Sequence, residues 1–278
     1  MTTKTWFITG TSSGFGKQLA QIVAHAKDTQ LVAAARKLSD LDYLDAYDQD
    51  KIAKVIVDVT QPTQVQRAIQ IAKERFNGID ILVNNAGIGY FGTLEESNDD
   101  DVRQLFEVNV FGLANMTKAV LPIMRAQKAG LIINISSVLG MTSLPTFGWY
   151  SATKFAVEGY SNALRQEVAS LGIKVLLAEP SGARTKWNAG KKAPVMIDDY
   201  QPFADMIAGA ANGEQQAPGD PHMIAQLIFE TVMSDRPLPQ HLPLGQFATM
   251  GITQELTKTL KEVTALGETA KRADTPVR

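Results

Sequence analysis

The sequence contains no cysteine. That absence excludes disulfides, thiolate nucleophiles and cysteine-based metal sites together. Histidine is nearly as scarce: His25, His222 and His241 are scattered without ligand spacing, so packing or surface roles are expected and no metal site is. Neither sign of charge prevails, with 27 Lys and Arg against 29 Asp and Glu and a formal charge of −2. No nucleic-acid or anionic membrane partner is therefore expected. Long apolar runs are missing too, and none approaches the ~20 residues that a membrane helix requires. The first ten residues enter a strand pattern with no basic region and apolar core of the signal-peptide kind. A soluble, cytoplasmic protein is the expectation. No internal repeat or linker interrupts the chain, so one domain over residues 1–278 is expected, and at 45% hydrophobic content it can bury a large core.

What is present is a regular alternation. Residues 5–9, 31–35, 53–57, 79–83, 131–135 and 175–178 read as short buried strands. Between them, 15–26, 61–76, 98–126 and 151–170 carry apolar residues at helical spacing. Ser97 is the expected N-cap of the third helix, and Asp99 to Asp101 suit the positive end of its dipole. Short strands alternating with helices predict an α/β fold, a doubly wound parallel sheet of the Rossmann type with helices on both faces. Ligands of such sheets bind at the carboxyl ends of the strands. Gly10, Asp58, Asn84, Ser137 and Pro180 all fall at or just past strand ends, so they should share one edge.

Regularity fails between residues 184 and 221, which hold several prolines and glycines with helix expected only over 200–211. A long irregular segment in a compact domain is usually functional or mobile. Residues 186–219, following the sixth strand, are expected to form a lid over the substrate. A helix over 222–234, a last strand over 241–247 and a terminal helix over 252–266 complete the pattern.

Thr9-Gly10-Thr11-Ser12-Ser13-Gly14-Phe15-Gly16 joins the first strand to the first helix. Its glycines allow positive φ and close approach of backbone to ligand, and the helix offers free N–H groups to a pyrophosphate. At the end of the second strand, Ala35 is followed by Arg36 and Lys37, with no carboxylate before Asp40. Arginine there accommodates the 2′-phosphate of NADP, where an acidic residue would bond the ribose of NAD. NADP(H) is therefore expected in preference to NAD(H).

Tyr150 and Lys154 stand four residues apart on one expected helix face. A nearby ammonium favours the phenolate, which would let the tyrosine exchange a proton nearer neutral pH. Ser137, thirteen residues upstream, ends the strand at 131–135 and can add a hydroxyl. The trio suits proton transfer to or from a carbonyl oxygen. A second Tyr-x3-Lys, Tyr47 to Lys51, has Ala34 in place of the serine and runs straight into a strand, which makes it a negative control.

Together, Thr9-Gly10-x3-Gly14-x-Gly16, Asp58-Val59, Asn84-Asn85-Ala86-Gly87, Asn109, Ser137 and Tyr150-x3-Lys154 resemble the short-chain dehydrogenase/reductase family over roughly residues 4–185. The resemblance implies Tyr150 as catalytic acid/base and Ser137 as the group that orients and polarises the substrate oxygen. It implies that Lys154 lowers the tyrosine pKa and binds the nicotinamide ribose, and that Asn109 holds a water of a proton relay. Cofactor contacts would come from Gly10, Ser12, Ser13, Gly14, Phe15, Gly16, Arg36, Asp58, Val59, Asn85, Ala86, Gly87, Tyr150, Lys154, Pro180, Gly182 and Thr185. Asn84 would tie neighbouring strands. The family commonly has Pro-Gly after the sixth strand, whereas this chain reads Glu179-Pro180-Ser181-Gly182, which leaves the contacts there less defined.

The expected activity is an NADPH-dependent carbonyl reductase, or the reverse alcohol dehydrogenase, acting on a small carbonyl or alcohol. Leu94, Leu139, Met141, Leu144, Phe147, Trp149 and Trp187 suggest an apolar or aromatic substrate. A homo-oligomer is compatible with the sequence. The alternative is a regulatory protein that binds NADP and turns nothing over, for which a complete Ser-Tyr-Lys set would have no use.

Overall fold

A computed structural model describes residues 3–185, 187, 190–212 and 217–274. Its centre is a seven-stranded parallel sheet in the order β3-β2-β1-β4-β6-β7-β9, built from β1 (Lys4–Thr9), β2 (Thr29–Ala35), β3 (Ile52–Ile56), β4 (Ile81–Asn84), β6 (Gly130–Ile135), β7 (Ile173–Pro180) and β9 (His241–Leu244). A second, two-stranded sheet pairs β5 (Tyr90–Phe91) with β8 (Lys191–Lys192). The helices are α1 (Gly14–His25), α2 (Pro62–Phe76), α3 (Asp99–Phe106), α4 (Leu113–Gln127), α5 (Gly148–Val168), α6 (Ala204–Asn212), α7 (Pro221–Met233), α8 (Gln246–Ala265) and α9 (Gly267–Ala270).

The strands are apolar on both sides because both sides are covered. On β1, Trp6 and Ile8 face one core layer, which α1 and α7 close, and Trp6 stacks on Phe229 at 5.6 Å between ring centroids. Phe7, between them, faces the opposite layer with residues of α2, α4 and α5. Period-two alternation thus feeds two cores rather than a core and solvent.

Three expectations are corrected by the structure. The helix expected over 98–126 is two helices joined by a π-helical turn, Glu107–Gly112. One extra residue per turn is too small a slip to disturb an apolar periodicity, so the sequence pattern conceals it. Its N-cap is Asn98, whose side chain accepts from the Asp101 N–H at 3.1 Å, whereas Ser97 donates to the Thr93 carbonyl. The last strand ends at Leu244, and α8 begins at Gln246 because Gly245, at φ +106°, turns the chain at once.

Candidate active site

All strands of the large sheet run parallel, so Gly10, Asp58, Asn84, Ser137 and Pro180 meet at its carboxyl edge. The glycine loop is held there from below. Thr9 Oγ1 accepts from the N–H groups of Asn85 and Ala86 at 2.9 and 3.0 Å, and Asn85 Nδ2 donates to the carbonyls of Thr9 and Gly10. Gly10 and Gly14 adopt φ of +68° and +54°. A Cβ at Gly16 would lie 2.3 Å from Asn85 Nδ2 and 2.5 Å from the Gly10 carbonyl oxygen, so no side chain fits. Ser13 precedes α1 with extended backbone and makes no side-chain cap, which leaves the first N–H groups of the helix facing the loop. Thr185 packs across from Gly14, and Gly87 lies against Asn109. This bare cradle fits a pyrophosphate, by the chemistry of its backbone donors.

The other expected cofactor positions surround it. Ser12 is exposed and Phe15 is half-buried on the core; Arg36 is exposed directly after β2. Asp58 Oδ1 accepts from Thr60 N and Oγ1 at 3.0 and 2.7 Å, and Val59 packs on Gly112 of the π turn. Pro180 ends β7, with Gly182 exposed and Thr185 buried just beyond. Asn84 ties β4 to β6 and α4 through Asn134 and Thr117.

Ser137, Tyr150, Lys154 and Asn109 are brought together and are all buried. Tyr150 lies in the first turn of α5 with the Ser137 hydroxyl beside its own. Lys154 Nζ donates to the Ile135 carbonyl at 2.8 Å and stands 5.7 Å from the Tyr150 ring centre. Asn109 sits in the π turn, where its amide bonds both the N–H and the carbonyl of Ile88 and reaches Thr153 Oγ1. Thr153 in turn donates to the Tyr150 carbonyl at 2.7 Å. The control pair does not form such a site. Lys51 closes a 3-10 turn, Gln49–Lys51, and shares a shallow depression with Thr3 and Asp28 at the amino edge.

Burial sets the electrostatics. It pushes the Tyr150 phenol well above its ordinary value, against a smaller lowering by the Ser137 hydroxyl. The phenol is thus a proton holder here, contrary to the lowering expected from Lys154. Burial also pulls Lys154 down to about 8, opposed by the charge of Glu158.

Above the phenol is an aromatic roof. Trp187 meets Tyr150 at 4.7 Å between ring centroids, and Phe91 packs edge-on to Trp187 and Phe147 at 5.3 and 5.4 Å. Leu139 is buried in the same cluster, with Phe147 and Trp149 packed on it, while Leu94 and Leu144 are exposed. The sequence reading overlooked Glu158, which the α5 periodicity could have revealed at one turn past Lys154. It also separated His241 from Glu179, which β9 and β7 bring to 2.6 Å.

A family model described as short chain dehydrogenase matches residues 4–195. The chain belongs to that family. As a short-chain dehydrogenase/reductase it is an oxidoreductase, and similar proteins cover it almost end to end. Oxidoreductase BOA17 of Botryotinia fuckeliana is 35% identical over 249 residues, 87% of this chain and 89% of that one. A short-chain dehydrogenase from Streptomyces avermitilis superposes with a TM-score of 0.89 at 34% identity, covering 99% of this chain and 100% of that one. Two further similar structures carry dinucleotides. One, from Burkholderia phymatum, is in complex with NAD (TM-score 0.77, 27% identity, 100% and 98% covered). The other, ElxO, has NADP bound (TM-score 0.73, 25% identity, 89% and 99% covered). No helix of the described residues is long and apolar enough to cross a membrane.

Proposed function

We propose that this short-chain dehydrogenase/reductase is an NADP(H)-dependent enzyme interconverting a carbonyl and an alcohol, with Tyr150 as its acid/base. The convergence of Ser137, Tyr150, Lys154 and Asn109 beside the glycine cradle carries the reading. When bound, the dinucleotide supplies or accepts the hydride. Gly10, Ser12, Ser13, Gly14, Phe15 and Gly16 would hold its pyrophosphate, Asp58 and Val59 its adenine end, and Asn85, Ala86, Gly87, Pro180, Gly182 and Thr185 the remainder. Arg36 supports the choice of NADP, since β2 ends without a carboxylate and an exposed guanidinium follows. Related structures carry either dinucleotide, so that choice rests on Arg36.

In the reductive direction Tyr150 donates its proton to the substrate oxygen while the Ser137 hydroxyl hydrogen-bonds the same oxygen as its charge develops. Lys154, anchored on the Ile135 carbonyl, keeps a positive charge near the resulting phenolate and would bind the ribose of the dinucleotide. Asn109 locks the Ile88 backbone and Thr153, and through Thr153 the first turn of α5. A substrate entering beside Trp187 and Phe147 would be apolar or aromatic.

The chain acts as one domain, and the cover expected over 186–219 is carried by its described residues. Support comes from Trp187, 4.7 Å from Tyr150 between ring centroids, and from Ala193, buried in the same cluster; Ala183 bridges to Gly219 and Arg184 pairs with Asp220 at the base of the segment. Residues 186, 188–189 and 213–216 lie outside the described residues. Across a panel of ketones and aldehydes, wild type should oxidise NADPH faster than NADH. Tyr150→Phe should lose at least ~10²-fold in turnover while retaining NADPH binding. Full activity in that variant would sink the mechanism, and an inactive wild type would favour a regulatory protein. The double change Ala35→Asp with Arg36→Ser should move preference towards NADH; a wild type that already prefers NADH removes the argument from Arg36.

A further inference from the structure

Behind Lys154 lies a second group of ionisable side chains that the mechanism above does not use. Glu158 is one turn beyond Lys154 on the same face of α5 and 4% exposed; Glu179, on β7, is fully buried. His241, opening β9 at the edge of the sheet, places Nδ1 2.6 Å from Glu179 Oε1 and 3.8 Å from Glu158 Oε2. Both oxygens of Glu158 and Oε2 of Glu179 are buried without a hydrogen bond of ordinary geometry, the Ser136 hydroxyl being the polar group beside Glu158. Buried carboxylates are normally bonded or neutral. Gly140 makes room for the arrangement, because a Cβ there would lie 3.1 Å from both Glu158 Cγ and the Lys154 carbonyl oxygen.

We propose that Glu158, backed by Glu179 and His241, is a positioning residue for Lys154, supplying from behind the negative charge that keeps the ammonium protonated. The proposal rests on the reading in which Lys154 serves Tyr150. Burial pushes Glu158 up to about 7, opposed first by the Ser136 hydroxyl beside it and then by the charges of His241 and Lys154, with the charge of Glu179 adding to the rise. Burial raises Glu179 to about 7 as well. Glu158 therefore gains charge as pH rises towards the range in which Lys154, drawn down to about 8, would lose its own. Among the described residues, the further charged neighbour is Arg165 on α5, whose guanidinium bonds the carbonyls of Val175 and Gln240 and acts on both carboxylates. Arg165 and Lys154 act as the basic neighbours of Glu158 and Glu179, and the nitrogen and oxygen atoms that Glu158, Glu179 and His241 turn towards one another lie within 4.8 Å.

The test follows the titration of Lys154 directly, by NMR of the full chain carrying 13Cε-labelled lysine, with the Lys154 signal assigned from Lys154→Met. Glu158→Gln should lower the Lys154 midpoint by about one pH unit, the scale of losing one close opposite charge, and Glu158→Asp should restore part of it. Glu179→Gln should act in the opposite sense or not at all, because removing that charge lets Glu158 ionise more readily. An unchanged midpoint in Glu158→Gln would overturn the proposal. So would equal lowering by both glutamine variants, which would mark general disruption, or a wild-type midpoint moved by EDTA, which would mark a bound cation. The readout needs no turnover. If Lys154 shifts as stated while Tyr150→Phe keeps full activity, the catalytic reading fails and the electrostatic one stands.

Discussion

At the scale of single residues, spacing identifies candidates and burial decides what they do. Tyr150 to Lys154 and Tyr47 to Lys51 are the same pattern in the sequence, yet only the first sits on one helix face beside a strand end carrying a serine. The difference is measurable. Lys154→Met should reduce both turnover and NADPH affinity, by at least ~10²-fold in turnover, whereas Lys51→Met should change neither. Steady-state kinetics and fluorescence titration with NADPH check both variants, and similar behaviour of the two would refute the assignment. Burial also reverses the expected sign at Tyr150, because removing the phenol from water disfavours the phenolate more than the Ser137 hydroxyl favours it. Desolvation depends on what packs around a side chain, which no local motif encodes.

At the scale of elements, the parts that repeat were readable and the parts that deviate carry the site. Apolar periodicity located the strands and helices of residues 5–83 and 131–178 to within about two residues in most cases, as expected where boundaries are the least certain feature. The π turn at Glu107–Gly112 left no trace in that periodicity, yet it places Asn109 against Ile88 and Thr153. The irregular segment after β7 is fastened at its far side to one carboxylate. Glu96 Oε1 accepts from the N–H groups of Met196 and Ile197 at 2.8 and 3.0 Å, and its Oε2 accepts from Thr93 Oγ1 at 2.6 Å. The Thr93 bond foremost, and those from Ile197 and Met196, hold the Glu96 carboxyl below its usual range, so the latch persists into mildly acid solution. Glu96→Ala should therefore speed hydrogen exchange across 193–200 and leave the large sheet unchanged. In wild type, NADPH with substrate should add protection to the same segment. Equal exchange with and without ligands would leave it as scaffold rather than a cover.

At the scale of the whole molecule, the sheet crosses a core that is apolar on both faces but polar at one edge, and stability should register that edge. Glu158 and Glu179 are raised to about 7 from 4.5, so between those pH values the folded chain binds more protons than the unfolded one. Stability from this source is complete below about pH 4.5 and is lost as pH rises to about 7. Lys154 has the opposite sign: lowered from 10.5 to about 8, it makes stability rise with pH over that interval. Denaturant melts between pH 5 and 7 should show a decline that is smaller in Glu179→Gln than in wild type. Equal slopes would show that the two carboxylates do not share their burden.

The sequence by itself determined the alternation of strands and helices, the parallel sheet, the glycine loop and the order of the motifs along it. Each of these depends on residues close together in the chain or on a fixed period, because backbone hydrogen bonding and φ preferences act locally. Parallel strands then bring every strand end to one edge, so even the meeting of Gly10 with Ser137 could be inferred. Only the tertiary structure decided the rest: Trp187 over Tyr150, Glu158 behind Lys154 and His241 against Glu179. Trp187 with Tyr150 and His241 with Glu179 join residues tens of positions apart, and Glu158, though one turn from Lys154, takes its role from the burial that β7 and β9 impose on it. All of these depend on how side chains fill space and exclude water, and that is settled only when the whole core has closed.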